Sequence, residues 1–317
     1  MPGAYTHISI ARLLTSGNAL NRKKMPEARN ALLKFPEFCH MGAIGPDYPY
    51  LKLLDGSSEH WANAMHHKYG TSTEKNIIHA GIDQIKNLTG DSQAKCLAWF
   101  YGYVSHIIAD VTCHPVTNIL VGDYEADNQI AHRESEMHQD VYIFKTRLDG
   151  DVSKSEHIKN VIGSCTDPHD HKKVDSDIES FWSSLLSKTF PKIHSKHAVN
   201  INGWHNSVQF FLDNIAEEIS FIPSRHVREY FAGSGIAYPR FEEIDRTRFI
   251  DKLKTPKGDK TYDQVFDLAK DNVLKIWKII SDGIYKGDES YLEKINIWNL
   301  DSGQEVTTSK VMWEGLL

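Results

Sequence analysis

Two short runs of the sequence carry imidazoles and carboxylates that stand four residues apart. The first triplet is His106, Asp110 and His114, and the second triplet is His132, Glu136 and Asp140. Because four residues advance a helix by about 400°, the members of each triplet lie on one face, one turn above another. Each run therefore predicts a helix that presents imidazoles and carboxylates from a single stripe.

The residues before the first triplet make that stripe chemically unusual. Residues 96–104 are rich in large apolar side chains, which is typical of a helix buried on most sides. Carboxylates and imidazoles that face a core are costly to desolvate unless they are paired or bind a metal. His with Asp or Glu is a ligand mixture that suits zinc. A solvent-exposed polar stripe is the alternative, and the repetition of the spacing argues against it.

Composition narrows the class of protein. The chain has 317 residues, a formal net charge of -6, 40% hydrophobic and 25% charged residues, which fits a globular protein. Lys and Arg are dispersed, so neither a nucleic-acid-binding stripe nor a polybasic membrane anchor is expected. The four cysteines form no CxxC, which argues against a thiolate zinc site. With no signal peptide or run of 18 apolar residues visible, we expect a cytoplasmic location.

Apolar residues recur at helical intervals along most of the chain, and no convincing alternating strand appears. We expect Thr6 to cap the first helix and Pro115 to end the central helix near His114. Helices are predicted over 6–14, 26–34, 74–88, 92–117, 126–148, 177–190, 204–219 and 262–285. The prediction is an all-α helix bundle. It forms one domain over 1–317, with 150–175 as a polar loop or insertion and 288–317 as a C-terminal extension.

Two further stretches could contribute ligands. Glycines and prolines between residues 42 and 49 predict a loop that carries Asp47, which could be a turn former or a ligand. Downstream, His60 is a candidate ligand or a packing partner of Trp61. His66 and His67 are expected at the surface.

These residues together resemble the zinc-dependent phospholipase C family, with the zinc-dependent single-strand nucleases as distant relatives. The resemblance is closest to the catalytic domain of glycosylphosphatidylinositol-specific phospholipase D. In chain order the matching pieces are Thr6-His7-Ile8, Gly45-Pro46-Asp47, Ser58-Glu59-His60-Trp61, Ser105-His106-x3-Asp110-x3-His114 and His132-x3-Glu136. Bacterial phospholipases and the nucleases have five residues between the Asp that corresponds to Asp110 and the next His. This chain has three, as in the phospholipase D-like branch.

The resemblance implies a buried zinc cluster at the mouth of a helix bundle. One zinc would be held by Asp47, His60, His106 and Asp110, a second by His114, His132 and Glu136, and a third by His7, Asp110 and the N-terminus. The third site uses a free amine in the family, and the corresponding position here is Pro2. Two or three zinc ions are therefore expected.

Further roles are expected around the cluster. Asp47 could orient or deprotonate the attacking water, and the resemblance to bacterial phospholipase C implies that Tyr48 helps to form the substrate pocket. Asp140 either orients His132 from behind or lies on the helix surface, and both alternatives stay open.

The predicted function is hydrolysis of a phosphodiester, phospholipase C-like, by zinc-activated water. Phospholipid is the first substrate expected, without a stable membrane anchor. A nuclease or nucleotide phosphodiesterase on the same site is the alternative, in which nucleic acid enters only as a substrate. A non-catalytic, metal-stabilised binding module is the third hypothesis.

Overall fold

The computed structural model describes residues 2–16, 20–21, 23–52, 56–68, 75–124, 127–152, 156–214 and 238–315. Most of these residues are helical. The α-helices are α1 (Ala4–Thr15), α2 (Pro26–Lys34), α3 (Pro36–Gly42), α4 (Gly56–Met65), α5 (Ile77–Ile85), α6 (Gly90–Val121), α7 (Gln129–Leu148), α8 (His157–Ser164), α9 (Ser176–Thr189), α10 (Pro191–His194), α11 (Ile201–Asn214), α12 (Arg246–Phe249), α13 (Tyr262–Lys286) and α14 (Tyr291–Lys294). Residues Gly45–Leu51, Phe241–Glu243 and Met312–Glu314 form 3₁₀ helices.

The strands of the described chain form two small antiparallel hairpins. One pairs β1 (Leu253–Thr255) with β2 (Gly258–Lys260), and the other pairs β3 (Trp298–Asn299) with β4 (Gln304–Glu305). The all-α prediction is confirmed. No helix in the described ranges is long and apolar enough to cross a bilayer.

Helix α6 is the centre of the bundle. Every residue from Cys96 to Thr117 is buried, and the helix packs against α1, α2, α3 and α13. Its crossing with α3 is a contact between backbones. A Cβ on Gly42 would lie 2.0 Å from the Trp99 carbonyl oxygen, and one on Gly102 would lie 1.9 Å from the Cys39 carbonyl oxygen. Both positions therefore require glycine, and the close crossing fixes the first triplet relative to the end of α3.

Pro115 does not end α6, contrary to the prediction. The helix continues to Val121 with the proline inside it. The C-terminal part of the chain packs over this turn, and the indole N–H of Trp313 donates to the Thr112 carbonyl at 2.7 Å. A tertiary hydrogen bond thus helps satisfy the backbone near the proline, where the intrahelical pattern is interrupted.

Two other local predictions also need correction. Thr6 lies inside α1, whose N-cap is Gly3. The expected loop over 42–49 is largely the 3₁₀ helix Gly45–Leu51. Tertiary contacts favour regular structure in that short segment, although its glycines and prolines are typical of loops.

The segments 150–175 and 288–317 both contribute buried side chains. Within 150–175, helix α8 buries Val161 and Ile162. Within 288–317, Trp298, Leu300 and Trp313 are buried in the core. Of the helix predicted over 204–219, the part after Asn214 lies outside the described residues.

Candidate metal centre

The first triplet meets the N-terminal helix inside the bundle. His7 on α1 stacks on His106 on α6, with ring centroids 3.9 Å apart. Asp110 offers one oxygen to each ring: Oδ1 lies 3.2 Å from His7 Nε2, and Oδ2 lies 3.3 Å from His106 Nε2. All three side chains are buried. Their ligand atoms lie within 4.8 Å of one another, so this group could hold a metal ion.

A second group shares His106 with the first. Asp47 Oδ1 lies 3.3 Å from His66 Nε2 and 3.9 Å from His106 Nε2. Among the residues that the structure describes, these are the two groups with metal-binding geometry. The Asp47 side chain is 25% exposed, whereas His66 and His106 are at 0%. Asp47 therefore faces the open side of the centre.

The structure places His66, not His60, in the second group. His60 is exposed, and its ring lies 4.3 Å from that of His197. The prediction that His66 and His67 lie at the surface is wrong, because both are buried. The signal was present in the sequence: Ala62, Met65 and His66 follow the i, i+3, i+4 pattern of one buried helix face.

The remaining predicted ligands lie where α6 and α7 approach each other. The rings of His114 and His132 have centroids 6.4 Å apart, and Glu136 is partly buried one turn after His132. His114 Nε2 and His132 Nδ1 make no hydrogen bond to any described residue. The three residues do not form a compact group like the other two, so their zinc stays a prediction. The predicted N-terminal ligand falls at Met1 or Pro2, and Met1 lies outside the described residues.

Backbone carbonyls hold four of the histidines by one ring nitrogen each. The pairs are His66 Nδ1 with Ala62 O at 2.8 Å, His106 Nδ1 with Ala43 O at 2.9 Å, His132 Nε2 with Gly122 O at 2.7 Å, and His114 Nδ1 with Leu300 O. A nitrogen that donates to a carbonyl carries the proton, so the other nitrogen keeps its lone pair for a metal. The close α3–α6 crossing explains one pair, because Ala43 directly follows α3.

The polar atoms of the centre fit a metal better than they fit one another. Both nitrogens of His7, Nε2 of His106 and both oxygens of Asp110 are buried without a hydrogen bond to any described residue. Buried polar atoms are costly when unsatisfied. Their donor types, imidazole nitrogen and carboxylate oxygen, suit zinc. The residues present therefore fit a zinc ion.

Local charges set the protonation of these groups. Burial lowers the pKa of His106, but Asp110 and Asp47 outweigh burial and raise that pKa to about 9. Burial raises the pKa values of Asp110 and Asp47, and the opposing pull of His106 leaves both below their usual range. Burial lowers the pKa of His114 well below its usual value. Near neutral pH the metal-free centre thus combines ionised carboxylates with a protonated His106 and a neutral His114, and a metal that binds His106 must displace its proton.

Asp140 acts on the N-terminal helix instead of on His132. Its carboxylate accepts hydrogen bonds from the Thr6 N–H at 2.8 Å, the Tyr5 N–H at 3.1 Å and the Tyr238 hydroxyl at 3.1 Å. It is fully buried, so neither predicted alternative holds. The carboxylate caps the positive end of α1, the helix that carries His7. Gly3 makes room for it, since a Cβ there would lie 2.2 Å from Asp140 Oδ2.

Tyr48 does not line a substrate pocket, contrary to its predicted role. It is 1% exposed, and its ring packs 5.7 Å from Trp182 in the core. Two other tyrosines lie beside the ligand histidines: Tyr50, which the sequence offers as a ring that could stack on a base, and Tyr124, which the sequence does not single out. The Tyr50 ring is 5.3 Å from that of His66, and the Tyr124 ring is 5.1 Å from that of His132. Both are partly buried.

Comparison with known proteins agrees with this arrangement. The sequence model of the family described as zinc dependent phospholipase C matches residues 6–192, more than half of the chain. Searches among curated proteins and among solved structures gave no match. The matched range contains both triplets, His7, Asp47 and His66. The chain therefore belongs to the zinc-dependent phospholipase C family.

Proposed function

We propose that this protein is a zinc-dependent phosphodiester hydrolase, phospholipase C-like, whose cluster of two or three zinc ions activates water. The observation that carries the proposal is the pair of buried ligand groups that share His106. Membership of the zinc-dependent phospholipase C family supports the same chemistry.

The ligand groups suggest how zinc would be distributed. Asp47, His66, His106 and one oxygen of Asp110 would hold one ion, and His7 with the other oxygen of Asp110 would hold another. His114, His132 and Glu136 would hold the remaining ion. When bound, zinc lowers the pKa of water toward about 7 and neutralises phosphoryl oxygens.

Asp47 is the ligand-group residue best placed to meet water and substrate. Its side chain is the partly exposed member of the two groups. Its pKa is held low because the pull of His106 outweighs burial, so it is ionised at neutral pH. An ionised carboxylate at this place can accept the proton of an attacking water or orient that water. This open position favours catalysis over a module whose zinc only braces the bundle.

Metal content is the first test. Protein purified without added metal or chelator should contain two or three zinc per chain by elemental mass spectrometry. It should hydrolyse a soluble chromogenic phosphodiester and lose that activity on chelation. A chain that contains no metal and takes up none on addition of zinc would contradict the proposal and favour a non-catalytic module.

Phospholipid is the substrate that we propose first, on the basis of the family. The nuclease or nucleotide phosphodiesterase alternative is favoured by Tyr50 and Tyr124, because aromatic rings beside a phosphate-cleaving centre can stack on bases. Phosphatidylcholine micelles and single-stranded DNA should be offered in competition. Preferential lipid cleavage supports the first substrate, and preferential DNA cleavage supports the second.

A further inference from the structure

The turn between β3 and β4 touches two ligand histidines at once. The backbone N–H of Leu300 donates to the His66 carbonyl at 2.9 Å, and the Leu300 carbonyl accepts from His114 Nδ1. One buried peptide residue therefore links the histidine of the second ligand group to the last residue of the first triplet. Leu300 lies more than 100 positions beyond the end of the family match at residue 192.

Hydrogen bonds on both sides of Leu300 hold this turn in place. The side-chain amide of Asn299 donates to the Lys68 carbonyl at 3.2 Å, and its Oδ1 accepts from the Ser302 N–H at 3.0 Å. The Gly303 N–H donates to the Asn299 carbonyl at 2.8 Å and closes the turn. Leu300 is thus presented by a constrained segment.

Gly303 brings this turn against the central helix. Its φ is +69°, and a Cβ there would lie 2.6 Å from Pro115 Cδ and 3.0 Å from the Val111 carbonyl oxygen. Pro115 directly follows His114. The fit between Gly303 and Pro115 therefore sets the distance between the Leu300 carbonyl and the imidazole of His114.

We propose that residues 298–303, which we name the C-terminal clasp, are a working part of the metal centre. Through Leu300 the C-terminal clasp fixes the tautomer and ring orientation of His114 and ties this residue to His66. Its residues are positioning residues, and zinc affinity depends on them. This inference rests on the proposed zinc-dependent function.

The size of the effect follows from the role of such contacts. Groups that hydrogen-bond a metal-ligating histidine typically change metal affinity or activity by about 10- to 100-fold when lost. Displacement of Leu300 affects His114 and His66 together. The loss should therefore lie in that range without unfolding the bundle.

The test compares two glycines with nearly equal positive φ angles. Gly303→Ala forces a Cβ onto Pro115, whereas Gly287→Ala adds a Cβ at φ +67° with nothing within 4 Å. Both variants carry the same left-handed strain, so their difference isolates the displaced C-terminal clasp. Zinc affinity is measured by competition with a chromogenic chelator, and the cobalt(II) absorption spectrum reports ligand geometry.

The expected result is a roughly 10- to 100-fold weaker zinc affinity and an altered cobalt spectrum for Gly303→Ala alone. Equal affinities and spectra in the two variants would overturn the inference while leaving the proposed function intact. A wild-type protein that binds no zinc would overturn both. Nitrogen-15 NMR of the metal-free protein separates these cases, because it reports whether His114 carries its proton on Nδ1.

A second variant serves if Gly303→Ala does not fold. Asn299→Ala removes the hydrogen bonds to Lys68 and Ser302 but adds no atom. It should weaken zinc binding in the same direction by several-fold. Unchanged affinity in a folded Asn299→Ala protein would count against the C-terminal clasp.

Discussion

The two triplets have the same spacing but different neighbours. All members of the first triplet are buried, and two of them, His106 and Asp110, belong to the compact ligand groups. The second triplet divides: its His132 lies beside His114, whereas Asp140 caps another helix. Equal intervals on a helix therefore predict a common face, and the neighbours of each turn decide what that face does.

The surroundings of the two helices explain the difference. Helix α6 is buried on all sides over the first triplet, so every polar residue there meets other interior groups. Helix α7 carries exposed residues among its buried ones, and its contacts with α1 are extensive. Where α7 meets the N-terminal end of α1, the Asp140 carboxylate lies beside backbone N–H groups that have no partner within the helix, and not beside imidazoles.

Loss of the shared carboxylate should have the largest effect. Asp110→Asn removes the charge that lies between His7 and His106, so zinc loading should fail. A bound metal contributes several kcal/mol to such a reaction, so activity should fall by about three orders of magnitude or more. Zinc content and phosphodiesterase rate are the measurements.

Asp91→Asn, at the exposed start of the same helix, is the matched control and should behave like the wild type. Asp91 pairs with Lys34 at the surface, and such pairs contribute little. Full activity of Asp110→Asn at normal zinc content would remove the distinction between the triplets.

The pair His66 and His60 extends the comparison to α4. His66→Ala removes a buried imidazole of the second ligand group, and its loss of activity should exceed the roughly 10- to 100-fold typical of an outer partner. His60→Ala changes an exposed residue and should leave zinc content and rate unchanged. Loss of zinc and activity in His60→Ala but not in His66→Ala would support His60 as the ligand, as the sequence predicts.

Asp140 should show a smaller effect of a different kind. Asp140→Ala leaves the Tyr5 and Thr6 amides without their buried acceptor, which should cost about 2 kcal/mol or more in the free energy of unfolding. Because α1 carries His7, zinc affinity should fall by roughly tenfold, as for an outer-shell partner. Asp140→Asn keeps one acceptor oxygen, so its free energy of unfolding in urea should lie between those of the wild type and Asp140→Ala. A variant that loses zinc without losing stability would place Asp140 among the ligands.

The smallest effect is expected at a histidine that is buried but belongs to neither ligand group. His205 is a buried histidine packed near Tyr48, and burial lowers its pKa to about 4. The unfolded chain binds a proton there below about pH 6.5, so stability is lost as the pH falls from 6.5 toward 4. Between pH 7.5 and 5.0 this residue alone should contribute about 2 kcal/mol of that loss.

His205→Gln should therefore flatten the pH dependence of urea unfolding and leave zinc content unchanged. The measurement is the free energy of unfolding at the two pH values, in the wild type and the variant. An unchanged pH dependence would show that His205 does not titrate in this range.

Periodicity predicted the helices well where packing is local. Helix α2 begins and ends where the sequence places it, and α13 does so within one residue. The prediction failed where a distant segment intervenes, as near Pro115, where Trp313 donates to the Thr112 carbonyl. Such contacts join residues 201 positions apart and leave no local periodic signal.

The residues of the metal centre could likewise be predicted only where a local pattern marks them. Both triplets stand out by type and spacing, whereas His7 and Asp47 are identified as ligands through the resemblance to the family. His66 is expected at the surface, although its buried helix face is visible in the pattern. The carbonyl partners could not be foreseen, because Ala43 and Leu300 act through their backbones, which every residue possesses.

The glycine crossing of α3 and α6 has a consequence for how the centre forms during synthesis. The hydrogen bond of His106 to Ala43 closes a stretch of 63 residues, whereas that of His114 to Leu300 closes one of 186. Chains leave the ribosome from the N-terminus and fold in units as they emerge. The His106 side of the centre can therefore assemble early. The His114 side cannot form until Leu300 has been synthesised, so a shorter nascent chain carries an incomplete centre.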